Sequence, residues 1–189
     1  MIAAVVLAAG AGTRFGGTKQ IEVLRGKPLA QHAIDAAAAA GVEEIVVVLG
    51  HDAERVRSAL DLSSGARVVL NEGWAAGQAS SLTVGLQSLD RSCEAAVVLL
   101  ADQPGIAARH VASLIEAFRR EQREVVRIGF RDGPGPALLA RAVWDEAIRL
   151  TGDAGARTLF DADPERVSWL AFDEDAPPDV DVPHDVDRA

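Results

Sequence analysis

Lysine is almost missing from this chain: Lys19 and Lys27 are the only two among 189 residues, and every other fixed cation is an arginine. Lysine is a compact point charge and arginine a planar fork, so a lysine set in a glycine-rich loop is not background composition. Cysteine is nearly absent too. Cys93 stands alone, which excludes an internal disulfide and fits a reducing, cytoplasmic location. Positive charge is in short supply, with a net formal charge of −9. Such a field repels nucleic acid and anionic membrane, so neither is expected as a partner. No apolar run is long enough to cross a bilayer. The N-terminal apolar stretch lacks a basic leader and breaks at Gly10, so no signal peptide is expected. The histidines at 32, 51, 110 and 184 share no metal-ligand spacing, and no serine or cysteine sits in a nucleophile elbow. That sets aside chemistry built on an activated serine or cysteine. An ionised phosphate acceptor would need no base, only positioning and charge neutralisation.

What is present reads as one α/β domain over residues 1–189. The hydrophobic content of 49% is enough for one well-buried core at this length. Apolar, β-rich runs at 3–7, 45–49, 68–70, 96–100 and 125–128 do not alternate with polar residues, as expected of strands covered on both faces. Helical patterns fall between them at 28–40, 52–60, 80–89 and 107–120, with Pro28 at a start and Gly41 after an end. This βα series predicts a Rossmann-like, mostly parallel twisted sheet with helices on both faces and a ligand beyond the carboxyl ends of its strands. Later in the chain, Gly133-Pro134-Gly135-Pro136 reads as a rigid turn, 141–150 as a helix, 156–160 as a short helix and 167–172 as a last strand. From Asp173 onward the composition is acidic and proline-rich, which by itself predicts disorder.

The first strand empties into Leu7-Ala8-Ala9-Gly10-Ala11-Gly12-Thr13-Arg14-Phe15-Gly16-Gly17-Thr18-Lys19. Glycines admit phosphate oxygens close to backbone N–H groups, and Arg14 and Lys19 supply fixed cations. The spacing is not that of a Walker A loop, because Thr18 separates Gly17 from Lys19 and Gln20 follows. Nor is it a dinucleotide fingerprint: Phe15 takes the place of the third glycine. The alternative is a flexible turn whose cations face water. Asp102 follows the run 96–100 directly, at the same sheet edge, where a carboxylate can hold Mg²⁺ or simply open a turn before Pro104. Asn71, Gly77, Gln78 and Ser81 lead into a helix and suit a base edge or ribose, although a serine there also serves as a helix cap. Asp153 and Arg157 flank a glycine turn, either as an anion clamp or as an exposed ion pair.

These segments, taken together and in order, resemble the MobA-like nucleotidyltransferase family, and within it the MocA-type molybdenum cofactor cytidylyltransferases. The resemblance spans nearly the whole chain. It rests on Leu7 to Gly16 with Lys19; on Asn71, Trp74, Gly77 and Ser81; on Leu100-Ala101-Asp102-Gln103-Pro104; and on Gly152-Asp153-Ala154-Gly155-Ala156-Arg157. Asp179-Val180-Asp181-Val182-Pro183-His184-Asp185 is similar to the family's closing motif and reverses the expectation of disorder there. The resemblance implies a nucleotide-diphospho-sugar transferase-like fold. It further implies transfer of CMP from CTP to a molybdopterin-type molybdenum cofactor with release of pyrophosphate, and a molybdenum hydroxylase as client of the product. Arg14 would hold the leaving pyrophosphate, Lys19 would act at the α-phosphate, and Asp102 with Asp181 or Asp179 would bind Mg²⁺. Leu7, Ala8, Ala9, Gly10, Gly12, Asn71, Gly77, Gln78 and Ser81 would hold the nucleotide, with Asp153 and Arg157 on the acceptor side. Ala9, where the guanylyltransferases tend to carry glycine, favours the cytidylyl branch. Val182, Gln20-Ile21-Glu22 and Pro134-Gly135-Pro136 depart from the family pattern. A transferase using GTP or another phosphorylated acceptor, and a non-catalytic cofactor-binding chaperone, are the alternatives.

Overall fold

The computed structural model describes residues 1–153 and 163–187. In chain order its elements are β1 (Ile2–Ala8), β2 (Val23–Leu24), β3 (Lys27–Pro28), α1 (Leu29–Ala39), β4 (Glu44–Leu49), α2 (Ala53–Ala59), β5 (Arg67–Leu70) and α3 (Gln78–Ser88). They continue with β6 (Ala95–Leu100), α4 (Ala108–Glu121), β7 (Val125–Gly129), β8 (Pro134–Ala140), α5 (Trp144–Ala147) and β9 (Val167–Ala171). Seven strands form one sheet in the order β5-β4-β1-β6-β8-β7-β9. Every pairing is parallel except the two made by β8, which runs antiparallel to β6 and β7.

The uninterrupted apolar character of the strands follows from burial on both faces. In β1, Ile2, Ala4, Val6 and Ala8 pack with α1 and α4, and Ala3, Val5 and Leu7 pack with α3 and α5. A polar residue at any of these positions would meet hydrocarbon on whichever side it pointed. Helix α3 lies close over β1: a Cβ at Gly85 would come within 2.3 Å of Val5 Cγ1. The sheet order turns around β1, with β4 and β5 to one side and β6 to the other. In an open parallel sheet such a switch leaves a crevice past the strand ends. The loop after β1 and the segment after β6 both open into it.

Three local expectations need correction, and one hairpin was not foreseen. The segment 133–136 is not a separate rigid turn: Pro134–Ala140 forms β8, and the turn before it is closed by the Phe130 N–H to Gly133 O bond at 2.8 Å. Proline is tolerated because Pro134 opens the strand, opposite Gly129 beyond a register irregularity. The helix expected at 141–150 shrinks to a 3₁₀ turn and the four residues of α5. A β2–β3 hairpin, turning through Arg25 and Gly26 at φ 50° and 80°, went unread because each strand is only two residues long. Finally, the acidic tail is docked, not disordered as its composition suggested. Val180 is fully buried, and its N–H donates to Asp102 O at 2.8 Å. The helix expected at 156–160 lies outside the described residues.

The tail is tied down first by His110, which is fully buried in α4 between Phe130 and Phe172. Its Nδ1 accepts the Ala107 N–H at 3.0 Å, so the proton is on Nε2, 2.7 Å from Glu174. Arg109 holds the same carboxylate through both oxygens. Burial, chiefly, and the Arg109 charge push His110 below the usual histidine value. As pH falls the unfolded chain therefore takes up this proton before the folded one, and stability is lost from about pH 6.5 downward. Tm should fall between about pH 7 and pH 5, with a shallower slope in His110→Gln; equal slopes in urea or thermal melts would contradict this.

Candidate active site

The loop after β1 is a closed ring. Gly16 and Gly17 donate their N–H groups to Gly12 O at 2.9 and 3.4 Å. Gly12 has φ 60°, and a Cβ there would sit 2.2 Å from Gly17 O, so no other residue fits. Gln20, only 2% exposed, pins the ring from beneath: its Nε2 donates to Ala8 O at 3.2 Å and to Gly10 O at 2.6 Å. A trans peptide points its C=O and the next N–H in opposite directions. Holding those two carbonyls therefore turns the Ala9 and Ala11 N–H groups away from Gln20. The Gln20 Oε1 is buried without a partner.

Lys19 emerges from the end of this ring into a group of oxygens. Its Nζ lies 2.7 Å from Asp102 Oδ2, 3.2 Å from Val180 O and 3.3 Å from Asp181 Oδ1. Arg14 reaches the other oxygen of Asp181 at 2.9 Å but is 76% exposed, against 15% for Lys19. The Lys19 contacts are thus the ones protected from solvent screening. Asp179 stands beside them, holding Gln103 Nε2 at 2.8 Å. Its carboxyl is pushed above the ordinary range, mostly by desolvation and then by the charges of Asp102 and Asp181, against the Gln103 hydrogen bond.

The opposite wall is set by Asn71, 3% exposed, whose Nδ2 donates to Ser80 Oγ at 2.9 Å and Ser81 Oγ at 3.0 Å. Its Oδ1 accepts the Gly73 N–H at 2.9 Å. The amide thereby ties the end of β5 to the start of α3. Gly77, at φ 105°, has Gly152 and Asp153 packed against it, and the Gln78 N–H reaches Asp153 Oδ1 at 3.3 Å. Trp74 lies against Gly50 and meets the His51 ring edge-on at 5.2 Å.

Between the walls is a cavity of about 430 Å³. Of the residues singled out in the sequence, Leu7, Ala8, Ala9, Gly10, Gly12, Arg14, Lys19, Gly77, Gln78, Ser81, Asp102, Asp153 and Asp181 line it. Asn71 stands behind the wall. Asp179 instead borders a neighbouring cavity of about 330 Å³ with Gln103, Phe130 and Pro177, and Arg157 lies outside the described residues. Gln20 and the Val180 carbonyl are the participants that sequence reasoning missed as site groups. The only sign of Gln20 was a polar residue where apolar ones are usual, and a backbone carbonyl leaves no sign at all.

Among the described residues, no group of three or more His, Cys, Asp or Glu side chains converges on one point. The donors around Lys19 are all oxygen: two carboxylates and a carbonyl. That set suits a hard cation such as Mg²⁺ or Mn²⁺, which takes one or two carboxylates and keeps water for its other positions. It does not suit zinc, which favours sulfur and imidazole.

A glycine ring, two fixed cations and a carboxylate at the switch of a parallel sheet define an α/β protein of the nucleotide-handling class. The chain belongs to the MobA-like NTP transferase domain family, whose model matches residues 4–167. Nicotine blue oxidoreductase of Paenarthrobacter nicotinovorans is 31% identical, over 96% of this chain and 92% of its own. The bifunctional protein GlmU of Sorangium cellulosum is 30% identical over 80% of this chain, which matches only 33% of that relative's length. Among solved structures, Rv0371c from Mycobacterium tuberculosis H37Rv superposes with a TM-score of 0.89 at 34% identity, covering 99% of this chain and 96% of its own. A complex of Rv0371c with manganese gives 0.84 at 31%, over 99% and 96% of the two chains.

The Gln20 pin makes a local prediction. Gln20→Leu takes the donor away from the Ala8 and Gly10 carbonyls, so global stability should fall by about 1–3 kcal/mol. Amide exchange at Gly16 and Gly17, whose N–H groups close the ring on Gly12 O, should quicken at least several-fold. Unchanged exchange across the ring would show that Gln20 does not hold it.

Proposed function

We propose that this family member transfers a nucleoside monophosphate, CMP from CTP, onto the phosphate of a molybdopterin-type molybdenum cofactor and releases pyrophosphate. The observation that carries the reading is the convergence of the glycine ring, Lys19, Asp102 and Asp181 on one cavity at the sheet switch. In the reaction an ionised acceptor oxygen bonds to the α-phosphorus as the bond to the bridging oxygen of pyrophosphate breaks. Both partners are already ionised, so no proton must move and no serine or cysteine need be activated.

The ring's amides would take phosphate oxygens. Arg14, exposed at the mouth, would follow the departing pyrophosphate, while Lys19 would neutralise charge growing at the α-phosphate. Gly77, Gln78 and Ser81 would face base and ribose, with Asn71 fixing Ser81 from behind. Asp102 would hold Mg²⁺, with Asp181 as the second anchor in preference to Asp179, because Asp181 shares the Lys19 cage and Asp179 faces the neighbouring cavity. The cation supplies Lewis-acid polarisation of the phosphates. The manganese found with Rv0371c belongs to a relative with a similar fold and leaves the choice between Mg²⁺ and Mn²⁺ to experiment. Asp153, which lines the cavity, and Arg157, which is outside the described residues, would serve the acceptor. The product would pass to a molybdenum hydroxylase.

The name of the P. nicotinovorans relative supplies a second, redox reading. Phe15 in place of a third loop glycine argues against dinucleotide binding here.

The test is pyrophosphate release from each of the four NTPs with purified cofactor. CTP should give it, and its Mg²⁺ complex at one hundred times Kd should add about 2.7 kcal/mol of stability. Lys19→Ala should lower kcat by roughly a hundredfold or more while changing nucleotide Kd by less than about tenfold. No pyrophosphate from any NTP, or unchanged turnover in the variant, would overturn the reading.

A further inference from the structure

The Lys19 ammonium occupies a three-oxygen cage of the kind a hard metal ion takes. Asp102 Oδ2, Val180 O and Asp181 Oδ1 surround it at 2.7, 3.2 and 3.3 Å. Two of the three groups, the Asp102 and Asp181 carboxylates, are those that the proposed function assigns to the divalent cation. A monovalent and a divalent cation on one pair of carboxylates would repel each other strongly at this range.

We infer that Lys19 is a built-in stand-in for the divalent cation: it holds the Asp102–Asp181 pair while no metal is bound, and it leaves that pair when metal arrives.

Four features support the exchange. First, without a cation between them the Asp102 and Asp181 carboxylates, both within 3.3 Å of the Lys19 Nζ, would confront one another. Second, only the side chain has to move. The Lys19 backbone is fixed in a 3₁₀ turn by the Glu22 N–H to Lys19 O bond at 3.0 Å, and the stem is a flexible four-carbon chain. Third, departure of Lys19 does not release the tail. Val180 N–H still donates to Asp102 O at 2.8 Å, and Asp181 still meets Arg14 at 2.9 Å. Fourth, Lys19 lines the same cavity as the glycine ring, so the freed ammonium has phosphate-binding space to enter. The consequence is an order of events: arrival of the metal arms the lysine. The inference rests on the proposed function only in taking Asp102 and Asp181 as the cation's ligands.

The chain's shortage of lysine makes the test clean. Lys27, exposed and paired with Asp35, is the only other lysine and serves as an internal standard. The full-length protein, without nucleotide, is treated with an amine-acylating ester in the presence and absence of Mn²⁺, and labelling at each lysine is followed by mass spectrometry. Mn²⁺ should raise the rate at Lys19 by roughly threefold or more, since an ammonium leaving a buried cage becomes accessible, and leave Lys27 unchanged. In parallel, Lys19→Met should bind Mn²⁺ roughly tenfold more tightly than wild type, because a competing charge is gone, as read from the electron paramagnetic resonance of free Mn²⁺. Adding Asp102→Asn to Lys19→Met should abolish that gain. Lys19 labelling that is unchanged or slowed by Mn²⁺, or a Lys19→Met protein that binds Mn²⁺ no better than wild type, would overturn the inference. The wild-type labelling decides the matter even if the variants fold poorly. Absence of pyrophosphate release would instead defeat the transferase reading and would alter neither readout.

Discussion

One ammonium group joins three distant parts of this chain. Lys19 ties the ring after β1 to the end of β6, 83 residues away, and to the tail, 161 and 162 residues away. Ordinary surface ion pairs contribute about 0–1 kcal/mol. This one is largely shielded, with Lys19 and Asp102 exposed by 15% and 26%, and hydrogen bonds to charged groups contribute about 1.5–3 kcal/mol. It draws Asp181 and the tail in beside Asp102 at the mouth of the cavity. The backbone bond from Val180 to Asp102 supports the same junction from below.

The sheet makes the junction possible. Strands buried on both faces have little freedom to shift, because every side chain of β1 is gripped by helices above or below. Their carboxyl ends are therefore fixed relative to one another to the precision of a packed core. Loops anchored there inherit that precision, and the glycine ring adds its own through Gly12 and Gln20. The chemistry proposed at the site asks for little beyond this placement: cations, amides and carboxylates aimed at phosphates.

Local signals in the sequence were enough for the parallel strands, the main helices, the ring and Asp102. Each is announced by neighbours: unbroken apolar runs, glycines at tight turns, a carboxylate just past a strand. What escaped depends on partners far along the chain. Segment 133–136 reads as a turn by its prolines and glycines, yet Pro134 pairs with Gly129 of β7 and opens β8, whose later residues lie between β6 and β7. The tail reads as disordered by composition, yet Glu174 on His110 and Val180 on Asp102 hold it down; only the resemblance of its closing motif pointed to order. Gln20 escaped because its task, gripping two carbonyls, is a property of the folded ring and not of any pattern in sequence. Asn71 was singled out in the sequence for the nucleotide, but its position behind the wall, holding Ser80 and Ser81, was not legible there.

The central claim, that Lys19 and Asp102 act as one structural unit binding ring to sheet and tail, is tested most directly by their coupling free energy. A double-mutant cycle of Lys19→Met and Asp102→Asn, measured by denaturant unfolding without metal, should give a coupling of about 1–3 kcal/mol. Additivity within about 0.5 kcal/mol would contradict it and leave the pair as two neighbours that merely touch.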